Sequence, residues 1–207
     1  MKIRIVCSWW RRVSENNLLW KNICLDEWPI YTLKMEHLEY IMSHAKGFRL
    51  FSLAYTKLLG YRGEVDVSAP HCLISGLSTS CNLVYVNLSG QFILNIDFVR
   101  HTPKLEYLFI NECFMIKDII QVRHCKELAY FSFNRVMISE DEEKLIQPIL
   151  ALPKLVLLGM KDNQISLYTM RKFCNGLPKL LFLNAKFSAE DIQEAKSLAS
   201  QYDICMS

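Results

Sequence analysis

The chain has 207 residues, 51% of them hydrophobic, and 24 Lys and Arg against 21 Asp and Glu leave a net charge of +3. Such a length supports one or two domains with a substantial core, and charges this nearly balanced exclude a surface built to trap nucleic acid. The apolar stretch LIQPILALPKLVLLGM over 145–160 is broken by Pro148, Pro153 and Lys154, so it fails the roughly 18 uninterrupted apolar residues that a membrane span needs.

In chain order, the first element is a dense apolar segment over residues 1–28, carrying Trp9, Trp10, Leu18, Leu19, Trp20, Ile23, Leu25 and Trp28. This spacing predicts two short helices folded on each other. The opening IRIVCSWW is too short for a secretory signal and runs into Arg11 and Arg12, so the expected location is cytoplasmic or nuclear. Eight cysteines, with no CxxC among them, sit mostly beside apolar residues and read as reduced core thiols rather than a disulfide framework. The Asn87-Leu88-Ser89 triplet matches a glycosylation acceptor only by a short pattern, which has no meaning without secretion.

Residues 29–47 read as a linker with a capping helix, and residues 48–207 as a solenoid of about six repeats. The repeats emerge on aligning LVYVNLSG from Leu83, LEYLFINEC from Leu105, LAYFSFNRV from Leu128, LVLLGMKDN from Leu155 and LLFLNAKF from Leu180. Each has apolar residues at its first, fourth and sixth positions, and the leading leucines recur at intervals of 22, 23, 27 and 25 residues. All four intervals lie in the range of leucine-rich repeats. Cys113 and Asn163 hold the position where that template places Asn or Cys, and FRLFSLAYT from Phe48 reads as a longer, less regular first repeat.

Between strands the chain carries helix signals. Ser139 with Glu142 and Ser188 with Asp191 fit capping boxes, Ser166 marks a start, and Gly176 before Pro178 marks a stop. Pro148 predicts a helix ending or kinking near Gln147. Strand, helix, strand at this period gives an α/β fold: a right-handed leucine-rich-repeat solenoid, a horseshoe arc with parallel strands on its concave face, preceded by a short helical segment.

Strand alternation then names the residues on that concave face. The first column is Tyr85, Tyr107, Tyr130, Leu157 and Phe182. The second is Asn87, Phe109, Ser132, Gly159 and Asn184, and the third is Ser89, Asn111, Asn134, Lys161 and Lys186. Aromatics beside amides have the composition of a protein interface, although tyrosines one strand apart could equally stack on each other. The expected partner is a protein substrate that the columns do not identify. Catalytic signals are absent: His71-Cys72 and His124-Cys125 are chain neighbours, which rarely aim a base at its nucleophile. Neither a metal-ligand spacing nor a phosphate loop occurs, so no enzyme activity, metal or cofactor is expected.

The opening stretch VCSWWRRVSENNLLWKNICL closely resembles the second half of an F-box, with Val6, Cys7, Trp10, Ser14, Glu15, Leu19, Trp20 and Leu25 on the positions of the pattern. With the repeats behind it, the chain resembles the F-box and leucine-rich-repeat family. The resemblance implies a non-catalytic substrate-recognition subunit of a cullin-based, SCF-type ubiquitin ligase. Val6, Cys7, Trp10, Leu19 and Trp20 would contact a Skp-type adaptor that joins the cullin, and the repeats would hold the target. The family's motif opens with a Leu-Pro helix that has no counterpart before Met1, so the motif reads as N-terminally truncated. A scaffold that has lost the adaptor remains the alternative, and the tryptophans could instead cap the array's open end.

Overall fold

The computed structural model describes residues 20–26, 33, 35–44, 47–56, 70–113, 116, 119–136 and 142–206. Its strands are β1 (Asn22–Cys24), β2 (Leu50–Ser52), β3 (Tyr85–Asn87), β4 (Tyr107–Phe109), β5 (Tyr130–Ser132), β6 (Leu157–Gln164), β7 (Phe182–Lys186) and β8 (Cys205–Met206). They form one parallel sheet in strict chain order. Each strand is short because it contributes one inward side chain to a shared row: Ile23, Phe51, Val86, Leu108, Phe131, Leu158 and Leu183 are in register, and all are at most 6% exposed. The leading leucines Leu83, Leu105, Leu128, Leu155 and Leu180 and the third apolar positions Leu88, Ile110, Phe133 and Met160 complete the core. Burying one such side chain contributes about 1.5–3 kcal/mol, so the row is one continuous source of cohesion between repeats.

The return legs differ along the array. Between β3 and β5 they are 3₁₀ helices, Asp97–His101 and Ile120–His124, whereas the others are α-helices, including that of the equally short step from Phe182 to Cys205. These are α1 (Met35–His44), α2 (Pro70–Ser78), α3 (Glu142–Leu150), α4 (Leu167–Gly176) and α5 (Ile192–Gln201). Each return leg packs on the next along the same side of the sheet. The helix signals behave unequally. Ser166 caps α4 by accepting from Thr169 N at 3.3 Å, and α4 ends at Gly176. Ser188 accepts from Asp191 N at 3.1 Å just before α5. Ser139 lies outside the described residues, while Glu142 binds forward to the next repeat, accepting from Ser166 N at 3.0 Å and Ser166 Oγ at 2.7 Å.

Two expectations need correction. The helix containing Pro148 does not end near Gln147 but continues to Leu150. Ile146 and Ile149, both fully buried, hold the turn on the core despite the missing N–H. The second correction concerns residues 22–24, expected as part of a helical segment: they form β1 and pair with β2. Trp20, Ile23 and Leu25 have the spacing of the repeat template, with Trp standing where the other repeats carry Leu.

A polar ladder stitches successive turns where each strand exits. Thr56 Oγ1 donates to Leu25 O, Gln91 Nε2 to Leu53 O at 2.8 Å, Cys113 Sγ to Leu88 O at 3.1 Å and Asn163 Nδ2 to Phe133 O at 3.4 Å. Val136, at the equivalent place, has no donor to offer. The turn beside this ladder is left-handed in five repeats, with positive φ at Tyr55, Gly90, Glu112, Arg135 and Asp162. The bend aims each N–H at the next repeat, as in Tyr55 N to Ser89 O and Glu112 N to Asn134 O, both 2.8 Å. Gly90 differs from the other four turn residues in its neighbour, since a Cβ there would lie 2.8 Å from the Tyr55 ring.

Candidate functional site

The face of the sheet opposite the return legs is uncovered among the described residues, and the three columns lie on it, the third interrupted between β6 and β7 where a register shift pairs Lys186 with Gln164 instead of Lys161. Backbone register makes the first column continuous: Asn22, Leu50, Tyr85, Tyr107, Tyr130, Leu157, Phe182 and Cys205 are neighbours in turn. Tyr107 and Tyr130 stack with centroids 4.7 Å apart and planes 10° apart, and Tyr85 lies 5.9 Å from Tyr107 and 5.6 Å from Phe109. These separations fall within the range in which aromatic pairs attract beyond their burial. Burial raises the Tyr85 hydroxyl above its ordinary pKa, with the Asn87 hydrogen bond opposing the shift. The tyrosines therefore pack on one another, as the simpler expectation had it, and the stack holds a half-buried aromatic stripe in one conformation.

The second and third columns are largely engaged with the protein itself. Asn111 Oδ1 accepts from Ser132 Oγ at 2.7 Å and from Asn134 N at 2.8 Å, and Asn134 Oδ1 accepts from Lys161 N at 2.6 Å. Ser89 Oγ accepts from Asn111 N at 3.2 Å. Asn87 Oδ1 accepts from Ser89 N at 3.1 Å. Gly159 is the smallest member because a Cβ would come within 2.5 Å of Ser132 Oγ. The amides read from sequence as ligand groups thus serve first as links between strands. At the far end the character changes: Phe182 is 48% exposed, Asn184 is half-buried, and the Lys161 and Lys186 side chains are exposed.

The sequence reading missed Asp26, which continues the third column at its other end. Its Oδ1 accepts from Ser52 Oγ at 2.5 Å and from Ala54 N at 2.7 Å, the arrangement that Asn111 repeats three strands further on, between β4 and β5. Its signal was the Trp20-Ile23-Leu25 spacing. Of the residues assigned to adaptor contact, Val6, Cys7, Trp10 and Leu19 lie outside the described residues. Trp20 is half-buried against the core and edge-on to Tyr40, with centroids 6.5 Å apart.

Elsewhere, side chains with chemical potential are occupied. Burial pushes the Cys113 and Cys125 thiols up to about 12, so at neutral pH both are protonated and unreactive. Cys125 donates to Val99 O at 3.6 Å rather than to its neighbour His124. A shallow groove on the helix side is lined by Leu150, Tyr168, Arg171, Lys172, Asn175 and Gly176. Its polar groups are paired with one another's surroundings: Arg171 with Glu194, Tyr168 with Glu143, and Asn175 with Tyr202. Among the described residues no cluster of His, Cys, Asp and Glu could hold a metal ion, and no helix is long and apolar enough to cross a membrane.

Compared with known proteins, the sequence matches no family model and no curated protein. Solved structures do share its fold. An internalin from Listeria monocytogenes is 17% identical over 85% of this chain and 51% of its own, with a TM-score of 0.60. Internalin C2 of the same organism is 16% identical over 86% of this chain and 77% of its own, with a TM-score of 0.54. The chain spans about half the length of the first internalin. At these identities the likeness concerns the fold.

Proposed function

We propose that this leucine-rich-repeat protein is a non-catalytic recognition subunit that holds a partner protein on the open face of its sheet. The observation that carries this reading is the stacked Tyr85, Tyr107 and Tyr130 column, in register and half-buried on an uncovered face. Tyrosine binds well at protein interfaces because a large rigid ring loses little entropy when covered. Its hydroxyl also remains able to donate a hydrogen bond. The double variant Tyr107→Ala, Tyr130→Ala is expected to fold, because both rings lie outside the core, and to lose partner affinity by about tenfold or more. Photo-crosslinking from position 157, beside Tyr130 on the open face, against position 168 on the helix side measures it. Equal crosslinking from both, unchanged in the double variant, would refute the assignment.

The finer role rests on the F-box resemblance at Val6, Cys7, Trp10, Leu19 and Trp20, a stretch that runs into the β1 repeat. On this reading the chain is the substrate-recognition subunit of a cullin-based ubiquitin ligase, active in the cytoplasm or nucleus. Co-precipitation with the full chain should recover both a Skp-type adaptor and a cullin, and Val6→Asp with Trp10→Ala should release them. Absence of both from the wild-type precipitate favours the second reading, a repeat scaffold outside any ligase.

A further inference from the structure

We infer that the partner segment on the open face is an acidic peptide stretch with a bulky apolar residue, seated with its carboxylates over β6 and β7. This deepens the reading of that face as a protein-binding site and rests on it. Hydrogen bonding within the chain removes most polar groups of the face from contention: the Asn111 and Asn134 oxygens serve Ser132, Asn134 and Lys161. Lys161 and Lys186 differ. Both are exposed on adjacent strands, and neither ammonium has an ion-pair partner among the described residues.

The nearby carboxylates do not neutralise them. Asp162 and Glu112 both bind Arg135, at 3.2 and 3.1 Å, along the left-handed turns beside the face. Asp26 stands at the opposite end of the same column, about 24 Å away at the usual strand spacing, and its carboxylate is engaged by Ser52 and Ala54. The column therefore runs from acidic at β1 to basic at β6 and β7, which fixes a direction for a charged ligand. Leu157 lies on the strand that carries Lys161, roughly 13 Å before it, and the half-exposed Phe182 lies on the strand that carries Lys186. An apolar anchor on Leu157 and Phe182 would place following carboxylates within reach of the two lysines, so charge complementarity selects the partner while the aromatic stripe supplies contact area.

The test is selection from a display library of random dodecapeptides on the immobilised full chain, followed by anisotropy measurements on the recovered peptides. Expected are peptides enriched in Asp and Glu beside Phe, Leu or Trp, weakening about tenfold on Lys161→Glu with Lys186→Glu and weakening further as salt is raised. The same charge-reversed variant, checked for an unchanged thermal transition, should select basic peptides instead. Recovery of no binders, of binders without acidic bias, or of binders indifferent to both lysines would overturn the inference. So would tighter binding of a single-stranded oligonucleotide than of any peptide through those lysines. Binders that depend on Tyr107 and Tyr130 but show no acidic bias would leave the open face as a protein site and remove only its charge preference.

Discussion

The repeats at β3 to β5 and those at β6 to β8 come from one template and end up in different physical states. In the first group the return legs are 3₁₀ helices, the tyrosines stack and the strand-exit amides bind neighbouring turns. In the second the return legs are α-helices, β8 covers only Phe182 and Leu183 of β7, and Lys161, Lys186 and Phe182 face outward. A repeat array can thus separate frame from recognition surface along its length, because identical backbone positions are free to carry side chains that bind inward or outward.

The largest effect that would expose this difference is a core truncation. Phe131→Ala, at a fully buried site against Phe133, is expected to cost about 3–5 kcal/mol. Leu183→Ala, in the same row near the sheet edge, should cost nearer 2 kcal/mol because the edge can relax. Urea unfolding of both variants checks the gradient, and equal losses would contradict it.

Titration sharpens the same contrast, since Cys113 and Cys125 both belong to the middle repeats. Their folded pKa of about 12 exceeds the ordinary 9.0, so the protonated thiols favour the folded state fully below pH 9. Between about pH 9 and 12 the unfolded chain ionises first, and stability should fall by up to about 1.4 kcal/mol per pH unit per thiol. Urea midpoints against pH measure the slope, and Cys125→Val should reduce it.

Smaller still is Asn111→Ala, which removes the acceptor of both the Ser132 hydroxyl and the Asn134 N–H, while Asn134 Nδ2 still donates to Ser132 Oγ. The expected loss is about 1–3 kcal/mol in thermal or urea unfolding. At the bottom of the scale, Arg135→Ala removes both ion pairs of an exposed guanidinium and should leave the thermal midpoint unchanged within error, because solvent screens such pairs.

Much of the architecture was legible in the apolar spacing. The leading leucines located β3 to β7, and period-two alternation placed Tyr85, Tyr107 and Tyr130 on the outer face. What escaped followed from exceptions to the template. β1 was hidden because Trp20 replaces the leading leucine inside a stretch that also matches an F-box pattern. β8 was hidden because Asp203, with a φ of 55°, occupies the leading position. Asn111 and Asn134 looked like ligand groups because sequence shows an amide without showing which N–H it meets.

The sequence by itself determined the repeat period, the parallel strands and the side of the sheet on which each residue falls, since these follow from local alternation and from burial of one apolar row. Only the tertiary structure decided which polar groups of the open face remain free. That depends on distances between strands more than twenty residues apart, where a carboxamide that reaches its neighbour's backbone becomes part of the frame, and a lysine that reaches nothing stays available to a partner.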